Sequence, residues 1–228
     1  MLTKQLLLSS FLLLFSYLSC LAQRHIYIDE LGDTISRRKF IKKWHDKDLL
    51  LSRWDSIGKT KKRYSTLRQN QFMKGHYDYQ TIKTEIEKIT SLEIKDHSIF
   101  IIAYFFKDDF CIPNRDNIWT SSEIEERKQF LKPIKTTLED KAIVFICLFE
   151  KGIALEKHSK SEKEYFFKDE NEFFKKNLFS FPAMCGSYAA IKPNGQTLIR
   201  NGEFRADWFS EYLQPENWSK IFPANAKH

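Results

Sequence analysis

An α/β fold, a largely buried sheet flanked by helices, is predicted by three observations. Two apolar runs, Ser98 to Phe106 and Lys141 to Phe149, are continuous rather than alternating, as in strands covered on both faces. A helix-start signal lies between them. A paired-strand signal around Asn194-Gly195 follows them.

Taken in order, the first apolar run (SIFIIAYFF) is rich in β-branched and aromatic residues and leads into a polar loop, Lys107 to about Thr120. Ser121 or Ser122 then offers an N-cap to a helix reaching about Asp140. Glu123, Glu125 and Glu126 complement the positive end of its dipole, and Pro133 is expected to kink it. The second run carries Cys147 inside a buried strand. A charged stretch precedes a helix expected over Asp169–Leu178. Tyr188–Lys192 and Gln196–Arg200 flank Pro193-Asn194-Gly195 as a hairpin. Arg205 to Leu213 then reads as a closing helix that Pro215 ends. The order is β-α-β-α-β-β-α, two strands joined by a helical crossover and followed by a hairpin and a helix.

Upstream, the first 22 residues have the plan of a secretory signal peptide: Lys4, an apolar stretch from Leu6 to Leu18, then Ser19-Cys20-Leu21-Ala22. Cleavage after Ala22 is the expected fate. Lipidation at Cys20 is the alternative, because Leu18-Ser19-Cys20 partly fits a bacterial lipobox. Export to the periplasm or beyond follows from either, with no spanning segment left after cleavage. The expected division is a signal peptide over 1–22, a basic extension over 23–97 and an α/β domain over 98–228. The extension opens with a short strand at His25–Asp29 and a turn at Gly32-Asp33. Basic, mainly helical stretches carrying Phe40, Trp44, Trp54 and Tyr64 come next, then an amphipathic helix over Tyr79–Thr90 with Ile82, Ile86 and Ile89 on one face.

The formal net charge is +7, and residues 37–74 hold thirteen Lys or Arg against three Asp. That block reads either as a solvated helical arm or as the contact for a protein partner or an anionic envelope component. Nucleic acid is not expected, since export separates the chain from it and no nucleic-acid motif is present.

Motifs that would carry chemistry are few. Gly58-Lys59-Thr60 has Arg53 where a phosphate-binding loop needs glycine, and Cys185-Gly186-Ser187 lacks the flanks of a nucleophile elbow. The six histidines have no metal-ligand spacing, so no metal or other cofactor is expected. Asp108-Asp109, beside Cys111, reads as an ordinary polar loop, the alternative being an acidic site or a pair that raises a thiol pKa. Arg200, Asn201, Glu203, Arg205 and Asp207 form a polar cluster that a hairpin exit and a helix start explain. With Cys20 removed, Cys111, Cys147 and Cys185 remain, which allows one internal bridge at most. Cys147 reads as an inert buried thiol, leaving Cys111 and Cys185 for pairing or chemistry.

The strand order, together with Phe110-Cys111-Ile112-Pro113-Asn114, the proline-bearing helix around Pro133 and the hairpin Ala190–Gly202, resembles the thioredoxin-like superfamily over roughly residues 98–213. The sequence departs from that family in three places. Asn114 stands where the second active-site cysteine would be, and the helix begins ten residues after Cys111 instead of at it. Gly186-Ser187 occupies the place of the family's cis-proline, with Pro182 too early. A conventional dithiol site is therefore not expected. The resemblance places the loop of Cys185 against that of Cys111, within disulfide range. A structural bridge, a redox-active bridge and two free thiols all remain open. The expected function is a non-catalytic binding or accessory protein of the envelope; the alternative is a thiol–disulfide oxidoreductase using Cys111 with Cys185.

Overall fold

The computed structural model describes residues 25–111, 116–156 and 165–223. The signal-peptide segment and Ile112–Asn114 of the cysteine motif lie outside them. In chain order the elements are β1 (His25–Ile28), β2 (Thr34–Ile35), α1 (Arg37–Trp44), β3 (Ser52–Ile57), β4 (Arg63–Arg68), β5 (Phe72–His76) and α2 (Tyr79–Thr90). There follow β6 (Ile99–Phe105), β7 (Ile118–Trp119), α3 (Ser121–Asp140), β8 (Ile143–Glu150), β9 (Ala154–Leu155), β10 (Phe166–Asp169) and α4 (Phe173–Asn177). The hairpin β11 (Ser187–Ile191) and β12 (Gln196–Asn201), then α5 (Ala206–Ser210), a short 3-10 turn and α6 (Pro215–Ile221), complete the chain.

The two apolar runs form the centre of a six-stranded sheet of order β10-β8-β6-β11-β12-β5. β6 and β8 are parallel, with Ile99 opposite Ile143 and Phe105 opposite Phe149, and α3 makes the crossover between them. β11 runs antiparallel to β6, and the β11–β12 hairpin closes with Ile191 opposite Thr197. This is a thioredoxin-like α/β arrangement. Successive residues of β6 point to opposite faces, and each face has its own core. Ile101 and Ala103 pack with Ile124, Leu131, Ile134 and Leu138 of α3 and Phe209 of α5. Phe100, Ile102 and Tyr104 pack with Ile82 and Ile86 of α2 and Phe174 of α4. A buried residue on each strand face and each helix stripe explains why both runs are uninterruptedly apolar.

The capping signal before α3 is met by Thr120, one residue earlier than expected. Its hydroxyl accepts from the Glu123 amide, and the Glu123 carboxylate accepts from the Thr120 amide at 2.8 Å.

Three expectations need correction. The N-terminal extension is not mainly helical: it holds five strands and two helices, four of the strands forming a separate sheet of order β2-β1-β4-β3. Around the small core of Phe40, Leu51 and Leu67, the inward side chains of β3 and β4 include Asp55 and Ser65, so no apolar alternation marks them. The fifth strand, β5, pairs with β12, and α2 covers one face of the main sheet, so residues 72–90 belong to the α/β unit although they precede Ser98. The stretch expected as helix 169–178 is a strand, β10, ending at Asp169 and then a five-residue helix. Pro215 ends the helical segment before it as expected, with Gln214 extended at ψ 138°, and it also opens α6, in whose first turn its missing N–H costs nothing.

Candidate functional site

β6 ends at Phe105, and the chain turns through Asp108, at φ +58°, to Asp109, Phe110 and Cys111. Asp108 and Asn117 hold this loop by a reciprocal pair: the Asp108 amide donates to Asn117 Oδ1 at 2.6 Å, and Asn117 Nδ2 donates to Asp108 Oδ1 at 2.7 Å. The second loop, preceding β11, brings in Cys185 at φ +67° and Gly186 at φ +87°. Only glycine fits position 186, because a Cβ there would lie 2.7 Å from the Tyr104 carbonyl oxygen. That tight approach lays the Cys185 loop directly over the end of β6.

Cys111 and Cys185 are joined by a disulfide, with 4.9 Å between their Cα atoms and a sequence separation of 74. Cys147, outside the disulfide, is a fully buried thiol in β8. One carboxylate serves both halves of the bridge: Cys111 N–H donates to Asp109 Oδ1 at 2.9 Å, and Cys185 N–H donates to Asp109 Oδ2 at 2.8 Å. The loop read as an ordinary polar turn is thus a brace between the two cysteine segments. The helix N-terminus that lowers cysteine pKa values in dithiol sites is elsewhere, since α3 starts at Ser121 behind its own capping box. An acidic side chain on the cysteine amides works against a thiolate.

The N-terminal sheet rests on the same two loops. Met184 N–H donates to the Arg53 carbonyl at 2.8 Å, and Arg68 Nη1 donates to the Pro182 carbonyl at 3.1 Å. The Arg63 guanidinium lies 4.8 Å from the Phe110 ring centroid. Behind this contact Asp55 is buried. Burial alone would raise its pKa, but two hydrogen bonds from Arg53 and one from the Ser65 hydroxyl outweigh it and hold the carboxyl below its ordinary range. His25 lies 2.8 Å from Ser65 Oγ, and burial moves its pKa down.

On its other side the bridge lines a cleft of about 510 Å³. Phe105, Trp119, Phe204 and Trp208 supply much of its wall, and Arg127 and Phe130 of α3 complete it. Arg127 stacks 5.5 Å from the Phe105 centroid and 5.3 Å from that of Phe130. Phe130 and Trp208 are 50 % and 55 % exposed, so the cleft has an aromatic rim open to solvent. The polar cluster at the hairpin exit resolves into separate pairs. Arg205 grips Asp207 through Nε and Nη2, which lowers the Asp207 pKa and raises that of Arg205. Arg200 lies 3.9 Å above Phe204 and donates to the Gly202 and Glu203 carbonyls, while Asn201 receives the Ser187 hydroxyl.

Sequence reasoning placed both cysteines and the polar cluster but missed Asp109 as a brace and Arg127 and Phe130 as cleft residues, for which no local signal exists. Gly58-Lys59-Thr60 forms the β3–β4 hairpin turn, with Gly58 N–H donating to the Lys62 carbonyl. Among the described residues no group of His, Cys, Asp or Glu could hold a metal ion, and no helix is long and apolar enough to cross a membrane.

No family model matches this chain, and no curated protein matches it. Among solved structures it is similar to the N-terminal domain of PilB from Neisseria gonorrhoeae, at 12 % identity and a TM-score of 0.35, over 54 % of this chain and 80 % of that one.

Proposed function

We propose that this protein is exported and works in the envelope as a thioredoxin-like binding or accessory protein. In this reading the Cys111–Cys185 bridge is a structural wall of the cleft and not a catalytic dithiol. The observation that carries the reading is the Asp109 carboxylate on both cysteine amides, with α3 starting only at Ser121 behind its own capping box. Such surroundings favour the closed disulfide over thiolates. A closed internal disulfide supports an oxidising compartment.

The basic block is the proposed contact for an anionic envelope component or an acidic protein. Arg37, Arg38, Lys39 and Lys42 are exposed on α1, whereas Lys43 pairs with Asp29 and Glu30, and Arg53, Arg63 and Arg68 are engaged within the molecule.

One observation favours the redox alternative: both cysteines line the open cleft, where a thiolate from another molecule would meet them. Equilibration of the protein in redox buffers, with alkylation and peptide mapping, separates the two. A structural bridge has a reduction potential below about −300 mV. A potential above about −230 mV, in the range of glutaredoxins, with turnover of a disulfide substrate, establishes the oxidoreductase instead.

A further inference from the structure

We propose that the cleft beside the bridge binds a small amphiphilic acid, an apolar chain bearing one carboxylate, with the carboxylate on Arg127. The inference rests on the binding reading above and names the ligand class. The cleft's 510 Å³ falls within the roughly 300–1,000 Å³ of small-molecule sites. Its wall is aromatic and half-open, suited to an apolar body.

The charges in it are not equally available. Arg205 is held by Asp207, and both oxygens of Asp109 receive the cysteine amides. Glu203 is exposed, where water screens its charge. Arg127, by contrast, makes no hydrogen bond or ion pair with the described residues, and its Nε is buried with no acceptor. Stacking between Phe105 and Phe130 fixes the guanidinium plane and leaves a carboxylate as its missing partner. A peptide fits less well: the Cys111 and Cys185 amides, which could pair with a peptide backbone, are both engaged by Asp109.

The test titrates the purified protein with dodecanoate, dodecanol and dodecyltrimethylammonium, each below its micellar concentration, following tryptophan fluorescence and calorimetry. Dodecanoate is expected to bind about tenfold or more tighter than dodecanol, with the cation weakest. R127Q should abolish the preference for dodecanoate over dodecanol, and W208A should weaken both. R127K, which keeps the charge but not the planar fork, should retain part of the preference and serves if R127Q does not fold. Equal binding of all three overturns the carboxylate proposal and leaves the binding reading standing. Binding of an apolar peptide but of none of the three also overturns it, in favour of a protein partner. No binding of any probe defeats the proposal and removes the cleft from the binding reading as well.

Discussion

Replacing both bridge cysteines by serine (C111S/C185S) tests how much of the fold depends on the link. The bridge closes a loop of 74 residues. Chain-entropy arithmetic for that length gives about 4.5 kcal/mol of stabilisation through the denatured state. Measured values usually fall short of such figures, so a loss of about 2–4 kcal/mol is the working expectation. The native loops have other ties: two amides on Asp109, Met184 on the Arg53 carbonyl and Arg68 on the Pro182 carbonyl. At about 1 kcal/mol each these keep the double variant folded. With a urea m-value of about 2 kcal/mol/M, the unfolding midpoint should drop by roughly 1–2 M. Amide exchange should accelerate first at Cys185, Gly186 and β3, on either side of the seam. A midpoint shift below about 0.3 M, under 1 kcal/mol by the same slope, would refute the reasoning. It would mean that the bridge does not constrain the unfolded chain, and its role would then have to be chemical.

D109A should remove the acceptor of two partly buried amides, cost about 2 kcal/mol in a urea melt and speed reduction of the bridge by dithiothreitol. G186A places a side chain at φ +87° and 2.7 Å from the Tyr104 carbonyl; about 1–3 kcal/mol should be lost, read as a lower melting temperature. Acidification should destabilise the protein in two stages. The folded pKa of His25 lies below its free value, so the unfolded chain binds the proton first and stability declines as pH falls below about 6.5. The depressed pKa of Asp55 adds a second loss, starting near its free value of about 3.9 and complete below the folded one. Melting temperature against pH for wild type and H25Q checks this, since the variant should lose the upper stage and keep the lower.

The central sheet was legible because its two middle strands are buried on both faces, and a run such as Ile99–Phe105 admits no other reading once a capped helix follows it. β3 and β4 were not legible for the opposite reason. Their inward positions hold Asp55 and Ser65, hydrogen-bonded to each other and to Arg53, so the pattern that marks a strand is written in polar residues. An ion pair within β3, completed by a hydroxyl from β4, looks in sequence like a charged surface. Pro215 was legible as the end of the helical segment before it but not as the start of α6, since proline both ends helices and opens them. The cysteine pairing was reachable through the thioredoxin-like strand order. Asp109 was not, because its second partner, Cys185, lies 76 residues away.

The bridge joins more than two loops. Phe110, next to Cys111, is covered by Arg63 of β4; Met184, next to Cys185, is bound by Arg53 of β3; and Pro182 in the same loop is held by Arg68. Every one of these contacts comes from the N-terminal sheet and lands within three residues of a bridge cysteine. Arg53 also clamps Asp55, so the residue that ties the module to the Cys185 loop is fixed by the polar core of the module itself. The disulfide therefore sits at the seam between the small sheet and the large one, with the cleft on the far side. A partner acting on the sulfurs from the cleft would loosen the loops on which the N-terminal module rests. A protein that cycled its bridge would have to tolerate that movement at each turnover. One that keeps the bridge closed holds the wall of the cleft and the base of the module in place with a single covalent link, and the Asp109 brace fits this second design.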